Sequence, residues 1–164
     1  MKGKKIVLVM LTALFVLVWG LGACTTTMQE YDLVGPYSEG RARVWKNGTW
    51  FHIGLDGKPM YAERYDFVGS YSEGRAWVEK GGTYFHIGLD GKPVYAERYD
   101  FVGSYSEGRA WVRKDGEEFH IGLDGKPVYA ERYYSVGSYS EGRARVWKNG
   151  TWFHIGLTGK RIAE

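Results

Sequence analysis

A single cysteine, Cys24, stands in 164 residues, so no intramolecular disulfide can brace this fold. Glycine is frequent, at 24 residues, but keeps no three-residue period, which excludes a collagen. An excess of one charge is missing as well. The formal net charge of +3 comes from Lys2, Lys4 and Lys5, and beyond Cys24 nineteen basic residues meet nineteen acidic ones. A nucleic-acid binder needs its positive excess on the folded part, where phosphates are neutralised, so no nucleic-acid partner is expected. With 44% apolar and 16% aromatic residues the chain is too rich in core-forming side chains to stay disordered.

Only one long apolar run is present. Three early lysines precede the stretch from Ile6 to Trp19, and Gly20-Leu21-Gly22-Ala23-Cys24 follows. A charged start, an apolar run of secretory length and a small-residue cleavage site make residues 1–23 a predicted signal peptide. Leu21-Gly22-Ala23-Cys24 resembles the lipobox of bacterial lipoproteins. That resemblance implies a lipid on Cys24, a membrane anchor through it and a location in the cell envelope. Thr25 after the cysteine resembles the pattern sorted to the outer membrane where two membranes exist. An uncleaved helix over residues 6–23 is the rival, at the lower edge of a spanning length. Residues 24–30 form the lipidated cysteine and a short tether, and Thr25 to Glu30 reach at most about 20 Å.

The remainder repeats. Tyr31-Asp32 returns as Tyr65-Asp66, Tyr99-Asp100 and, altered, Tyr133-Tyr134, which divides residues 31–164 into units 31–64, 65–98, 99–132 and 133–164. Arg41 to Leu55 recurs letter for letter as Arg143 to Leu157. A 34-residue period suits a helix-pair solenoid, but these units hold 21 glycines. Each glycine inside a helix costs about 1 kcal/mol relative to alanine. Strand signals replace the helical ones. Asn47-Gly48, Gly81-Gly82, Asp115-Gly116 and Asn149-Gly150 suit two-residue β-turns, each between β-rich segments.

A two-residue turn fixes register: Lys46 opposes Thr49, Trp45 Trp50, Val44 Phe51, Arg43 His52, and Ala42 Ile53. Alternation then places Ala42, Val44, Phe51 and Ile53 on one face, predicted as core in every unit, the fourth set being Ala144, Val146, Phe153 and Ile155. The opposite face varies and is expected to be exposed. A second turn at Asp56-Gly57 and its equivalents leads to a third short strand, as in Lys92-Pro93-Val94-Tyr95. The expected fold is all-β, with four hairpin-based repeats stacked as an open array, because a lone hairpin is marginal in water. A closed ring of propeller type is the alternative.

The cycle Tyr-Asp-x-Val-Gly-x-Tyr-Ser-Glu-Gly-Arg-Ala-x-Val, a turn, then Phe-His-Ile-Gly-Leu-Asp-Gly-Lys-Pro resembles the bacterial WG β-repeat over residues 31–164. The naming Trp-Gly pair reads Trp50-Phe51, Tyr84-Phe85, Glu118-Phe119 and Trp152-Phe153 here. The resemblance implies a β-rich repeat scaffold without a defined activity.

Candidate chemistry is thin. His52, His86, His120 and His154 share one repeat position, and no unit adds a second histidine or a cysteine to make a metal site. Their position is explained as an exposed strand residue beside Trp77 or Trp111. Ser72 and Ser106 read as loop residues, and Asp56, Asp90 and Asp124 as turn formers, too few in oxygens for calcium. No asymmetric nucleophile, base and orienter stand together, so the chain is expected to be no enzyme and to need no cofactor or metal. The candidate ligand-binding face is aromatic: Trp45, Trp50, Trp77, Tyr84, Trp111, Trp147 and Trp152. Aromatic anchors at wet surfaces receive protein partners, and flat rings receive sugars. A surface-tethered scaffold for an envelope protein is therefore the first expectation, and an envelope or exogenous glycan binder the alternative. Packing of these rings between neighbouring units is the competing explanation.

Overall fold

The computed structural model describes residues 30–163, so the expected signal peptide and Cys24 lie outside the described residues. The chain is all-β, built as four three-stranded antiparallel sheets. The first contains β1 (Leu33–Ser38), β2 (Arg41–Lys46) and β3 (Thr49–Ile53). The second holds β4 (Phe67–Val68), β5 (Ala76–Lys80) and β6 (Thr83–Ile87). The third holds β7 (Phe101–Val102), β8 (Ala110–Lys114) and β9 (Glu117–Ile121). The fourth holds β10 (Ser135–Val136), β11 (Arg143–Lys148) and β12 (Thr151–Gly156). None closes into a barrel, and the array is open.

The hairpin register follows from turn chemistry. Asn47 and Gly48, at φ of 51° and 79°, take the left-handed pair that a two-residue turn needs. Lys46 then faces Thr49, Trp45 faces Trp50, Val44 faces Phe51 and Ala42 faces Ile53, as the spacing predicts. The same pairing recurs in the other three hairpins. The face carrying Ala, Val, Phe and Ile is core throughout, with one exception: Phe153 is half-buried. It lies in the fourth unit, the last among the described residues, with no following described unit packed over it.

The third strand lies elsewhere than expected. Lys92 to Tyr95 forms no strand and has a single backbone bridge to its hairpin, Ile87 with Pro93, since proline cannot extend a ladder as donor. The third strand instead precedes each hairpin: Val68 pairs with Val78 and Phe67 with Glu79. Just before it, Tyr65 exchanges backbone hydrogen bonds with Trp50 of the preceding sheet at 2.9 and 3.1 Å. One extended segment thereby leaves one sheet's edge and starts the next. That step is repeated at Tyr99 and Tyr133 and turns four marginal sheets into one array.

Candidate functional site

The face opposite the aliphatic core is not the free surface that alternation alone suggests. His52, His86 and His120 on β3, β6 and β9 are buried, at 1% exposure or less. The next unit's backbone lies across them. His52 Nε2 meets the Gly69 carbonyl at 2.8 Å, and Nδ1 meets the Tyr61 hydroxyl at 2.6 Å. A carbonyl only accepts, so Nε2 carries the proton and Tyr61 donates to Nδ1. His86 with Tyr95 and Gly103, and His120 with Tyr129 and Gly137, repeat the arrangement. The neighbouring ring in each case is a tyrosine, such as Tyr105 at 4.6 Å from His86, and for His86 and His120 it is not the tryptophan, Trp77 or Trp111, that opposes them across the hairpin. Burial is the main cause holding these three imidazoles down to about 4, only partly opposed by the carbonyl that accepts from Nε2, with nearby Arg41, Arg75 or Arg109 adding to the effect. Desolvation pushes the partner hydroxyls of Tyr61, Tyr95 and Tyr129 far up. Both ring nitrogens of each histidine are occupied, which makes them joints between units.

The tryptophans sit beside these joints. In the second unit Trp77 lies against Gly69, and in the third Trp111 lies against Gly103. A strip of rings then runs through three units. Trp45 touches Trp50 at 5.5 Å, Trp50 touches Phe67 at 5.0 Å, and Phe67 stacks on Trp77 at 5.5 Å. Tyr84 meets Phe101 at 4.9 Å, and Phe101 stacks on Trp111 at 5.4 Å. Phe67 and Phe101 were absent from the sequence-derived face. They belong to the short strands β4 and β7, whose only sequence signal is a Phe-Val pair after Tyr-Asp.

The strip stops at the third unit. Glu118 replaces the aromatic residue there and is buried at 4% exposure. Its carboxylate accepts from Arg113 Nη2 at 2.7 Å and from the Val136 backbone N–H at 2.9 Å. Ser135 stands where Phe67 and Phe101 stand in the preceding units. Trp147 and Trp152 therefore form a separate pair at 5.3 Å, with Arg145 over Trp152 at 4.6 Å. Of the seven predicted face residues, Trp45, Trp50, Trp77, Tyr84 and Trp111 lie on one strip and are half-buried, while Trp152 alone is exposed, at 41%. The rings thus pack between units and still keep an outer edge.

The WG-containing repeat family matches residues 30–50, 53–84, 87–117 and 121–152, and the chain belongs to that family. Its last three matched segments run from the end of one hairpin into the next, out of phase with the tyrosine-based units. No curated protein matches the sequence. Among solved structures, the chain is similar to KlHsv2 with loop 6CD replaced by a Gly-Ser linker, at a TM-score of 0.52 and 9% identity. That likeness covers 76% of this chain and 48% of the other, so this chain spans about half the other's length. At such identity the likeness is one of fold.

Proposed function

We propose that this WG-repeat chain is a non-catalytic, lipid-anchored module of the cell envelope that holds a protein partner against its aromatic strip. The strip itself carries the reading. Trp45, Trp50, Phe67, Trp77, Tyr84, Phe101 and Trp111 keep successive ring centroids about 5–6 Å apart across three units while the tryptophans and tyrosine remain half-buried. Rings already fixed by their neighbours lose little side-chain entropy when a partner covers their outer edges, which is what interface anchors require. Arg43, Glu79 and Arg113 border the strip with mixed charge. The occupied nitrogens of His52, His86 and His120 support a structural rather than a catalytic use of the histidines. Anchoring rests on the sequence from Leu21 to Cys24. A glycan reading is favoured by one observation, the 41% exposure of Trp152, the most open tryptophan among the described residues.

The full chain, extracted in detergent and immobilised, tests this against envelope proteins and a glycan array. Trp45→Ala with Tyr84→Ala is expected to weaken protein capture at least tenfold while the melting temperature shows the array intact; these two leave the tryptophans that lie on glycine in place. Capture unchanged by that pair sinks the strip. Glycan binding lost on Trp152→Ala, and kept in the double variant, selects the other reading. For the anchor, Cys24→Ser is expected to shift the protein from the detergent phase or leave an unprocessed precursor. Unchanged processing and partition would refute lipidation.

A further inference from the structure

The three internal junctions of the array share one set of contacts, except that at the third the Glu107 carboxylate accepts from the Gly142 N–H alone. Ser38 donates to the Tyr71 carbonyl at 2.9 Å, and the Glu39 carboxylate accepts the Glu73 and Gly74 N–H groups at 2.7 and 3.0 Å. Arg41 lies 5.2 Å from the Tyr71 ring centroid, and His52 reaches the Gly69 carbonyl. Ser72, Glu73, Arg75 and His86 make the same four contacts to the third unit. Every junction thus joins a giving edge, Ser, Glu, Arg and His, to a receiving edge, Gly, Tyr and a Glu-Gly turn.

At the two ends of the described chain each edge is bare. In the fourth unit the giving edge is Ser140, Glu141, Arg143 and His154, which with Ser138 and Arg145 line a hollow of about 310 Å³. The Glu141 side chain is 81% exposed and that of Arg143 is 54% exposed, and they meet only each other, at 3.4 Å. In the first unit the receiving edge is Gly35, Tyr37 and the Glu39-Gly40 turn. Tyr37 is 45% exposed, whereas its counterparts Tyr71, Tyr105 and Tyr139 are 2% or less. The turn keeps the left-handed geometry of the receiving turns, φ of 50° and 73° against 53° and 70° at Glu73 and Gly74. Its two N–H groups, which in the next unit are held by a carboxylate, have no acceptor among the described residues.

We infer that the two ends dock on each other between copies of this chain, head to tail, with the fourth unit of one copy seated on the first unit of the next. Glu141 takes the N–H groups of Glu39 and Gly40, Ser140 the Tyr37 carbonyl, His154 the Gly35 carbonyl, and Arg143 covers the Tyr37 ring. Such an interface is heterologous, so it extends as a string or closes as a ring, depending on curvature. One internal contact has no counterpart. Position 163 is alanine where Tyr61, Tyr95 and Tyr129 pack on Gly91, Gly125 and Gly159, so docking is weaker than an internal junction. The inference uses the ends of the array and is independent of the aromatic strip.

The full chain in a non-ionic detergent, followed by sedimentation equilibrium from roughly 1 to 500 µM, tests it. Association rising with concentration is expected. Glu141→Ala with Arg143→Ala should weaken it at least tenfold, as should Tyr37→Ala, with melting temperatures kept because these side chains are exposed. Mixing the two variants restores one sound junction per pair, so the mixture should form dimers and stop there. A chain that stays monomeric across the range overturns the inference. So does association that is indifferent to both variants, or a mixture no more associated than its parts.

Discussion

Stability is expected to fall steeply as the pH drops from about 6.5 towards 4, in a window set by three imidazoles and not by carboxylates. His52, His86 and His120 are held down to about 4 by burial, while an unfolded chain binds protons near 6.5. Between those values the unfolded state carries more protons than the folded one, so each pH unit lost favours unfolding. The stabilisation is complete above 6.5, is lost as the pH falls, and levels off once the folded state also binds protons near 4. At the limit each site is worth roughly 3 kcal/mol, and half of that over three sites is on the order of 5 kcal/mol. A domain of this size has about 5–15 kcal/mol in all, so the effect is a large part of the total.

The geometry explains why protonation is resisted. Nε2 already gives its proton to a backbone carbonyl, so the added proton must go to Nδ1. There it meets a tyrosine hydroxyl at 2.6 Å that was donating, and that hydroxyl must turn its own proton away inside a buried site. The charged groups around each ring oppose the change as well: Arg41 and Arg43 near His52, Arg75 near His86, and Arg109 near His120, where Glu118 pulls the other way. Urea unfolding at constant ionic strength, in steps from pH 7.5 to 4, reads the outcome. The midpoint should begin to fall near 6.5, well above the range where ordinary carboxylates take up protons. A midpoint unchanged between pH 7 and 4.5 would show that these histidines are not buried as neutral joints.

The hairpins were legible because a two-residue turn leaves one register, and one register decides which residues share a face. What alternation cannot decide is whether a face is covered. His52 shares a face with Trp45 and Trp50, but its cover arrives from Tyr61, nine residues on, and Gly69, seventeen residues on. The spacing of His52 to Tyr61 is repeated by His86 to Tyr95 and His120 to Tyr129, and ends at His154, where alanine stands at 163. That pattern, constant in three units and dropped in the last, was the available sign of a junction. The short strands were harder to read, since a Phe-Val pair is too brief to show a period. Lys92-Pro93-Val94-Tyr95 had better strand composition, yet its proline limits it to a bridge. The aromatic residues were found as a group, while their division into a strip and a separate pair depends on Glu118 and Ser135, whose burial only the folded array reveals.

Gly103→Ala and Gly137→Ala occupy one repeat position and are expected to behave oppositely. A Cβ on Gly103 runs into the Trp111 indole at Nε1, Cδ1 and Cε2, and the same is true of Gly69 with Trp77. The indole cannot step aside, because Phe101 stacks on it at 5.4 Å and the Gly103 N–H is bonded to the Trp111 carbonyl at 2.8 Å. Neither glycine has a left-handed φ, so the effect is one of space and not of backbone strain. Overpacking of this kind costs about 1–3 kcal/mol, and more where the neighbours are fixed. At Gly137 the residue in tryptophan's place is Arg145, which is exposed, and the first atom a Cβ meets is the Arg145 carbonyl oxygen at 3.5 Å, an ordinary contact. Gly137→Ala should therefore move the urea midpoint little, while Gly103→Ala lowers it by an amount equal to about 3 kcal/mol. Adding Trp111→Ala to Gly103→Ala should cost much less than Trp111→Ala costs alone, because the new methyl then enters the space the indole leaves. Equal loss at both glycines, or strict additivity in the double variant, would mean that the tryptophans do not lie on the glycines and that the strip is assembled some other way.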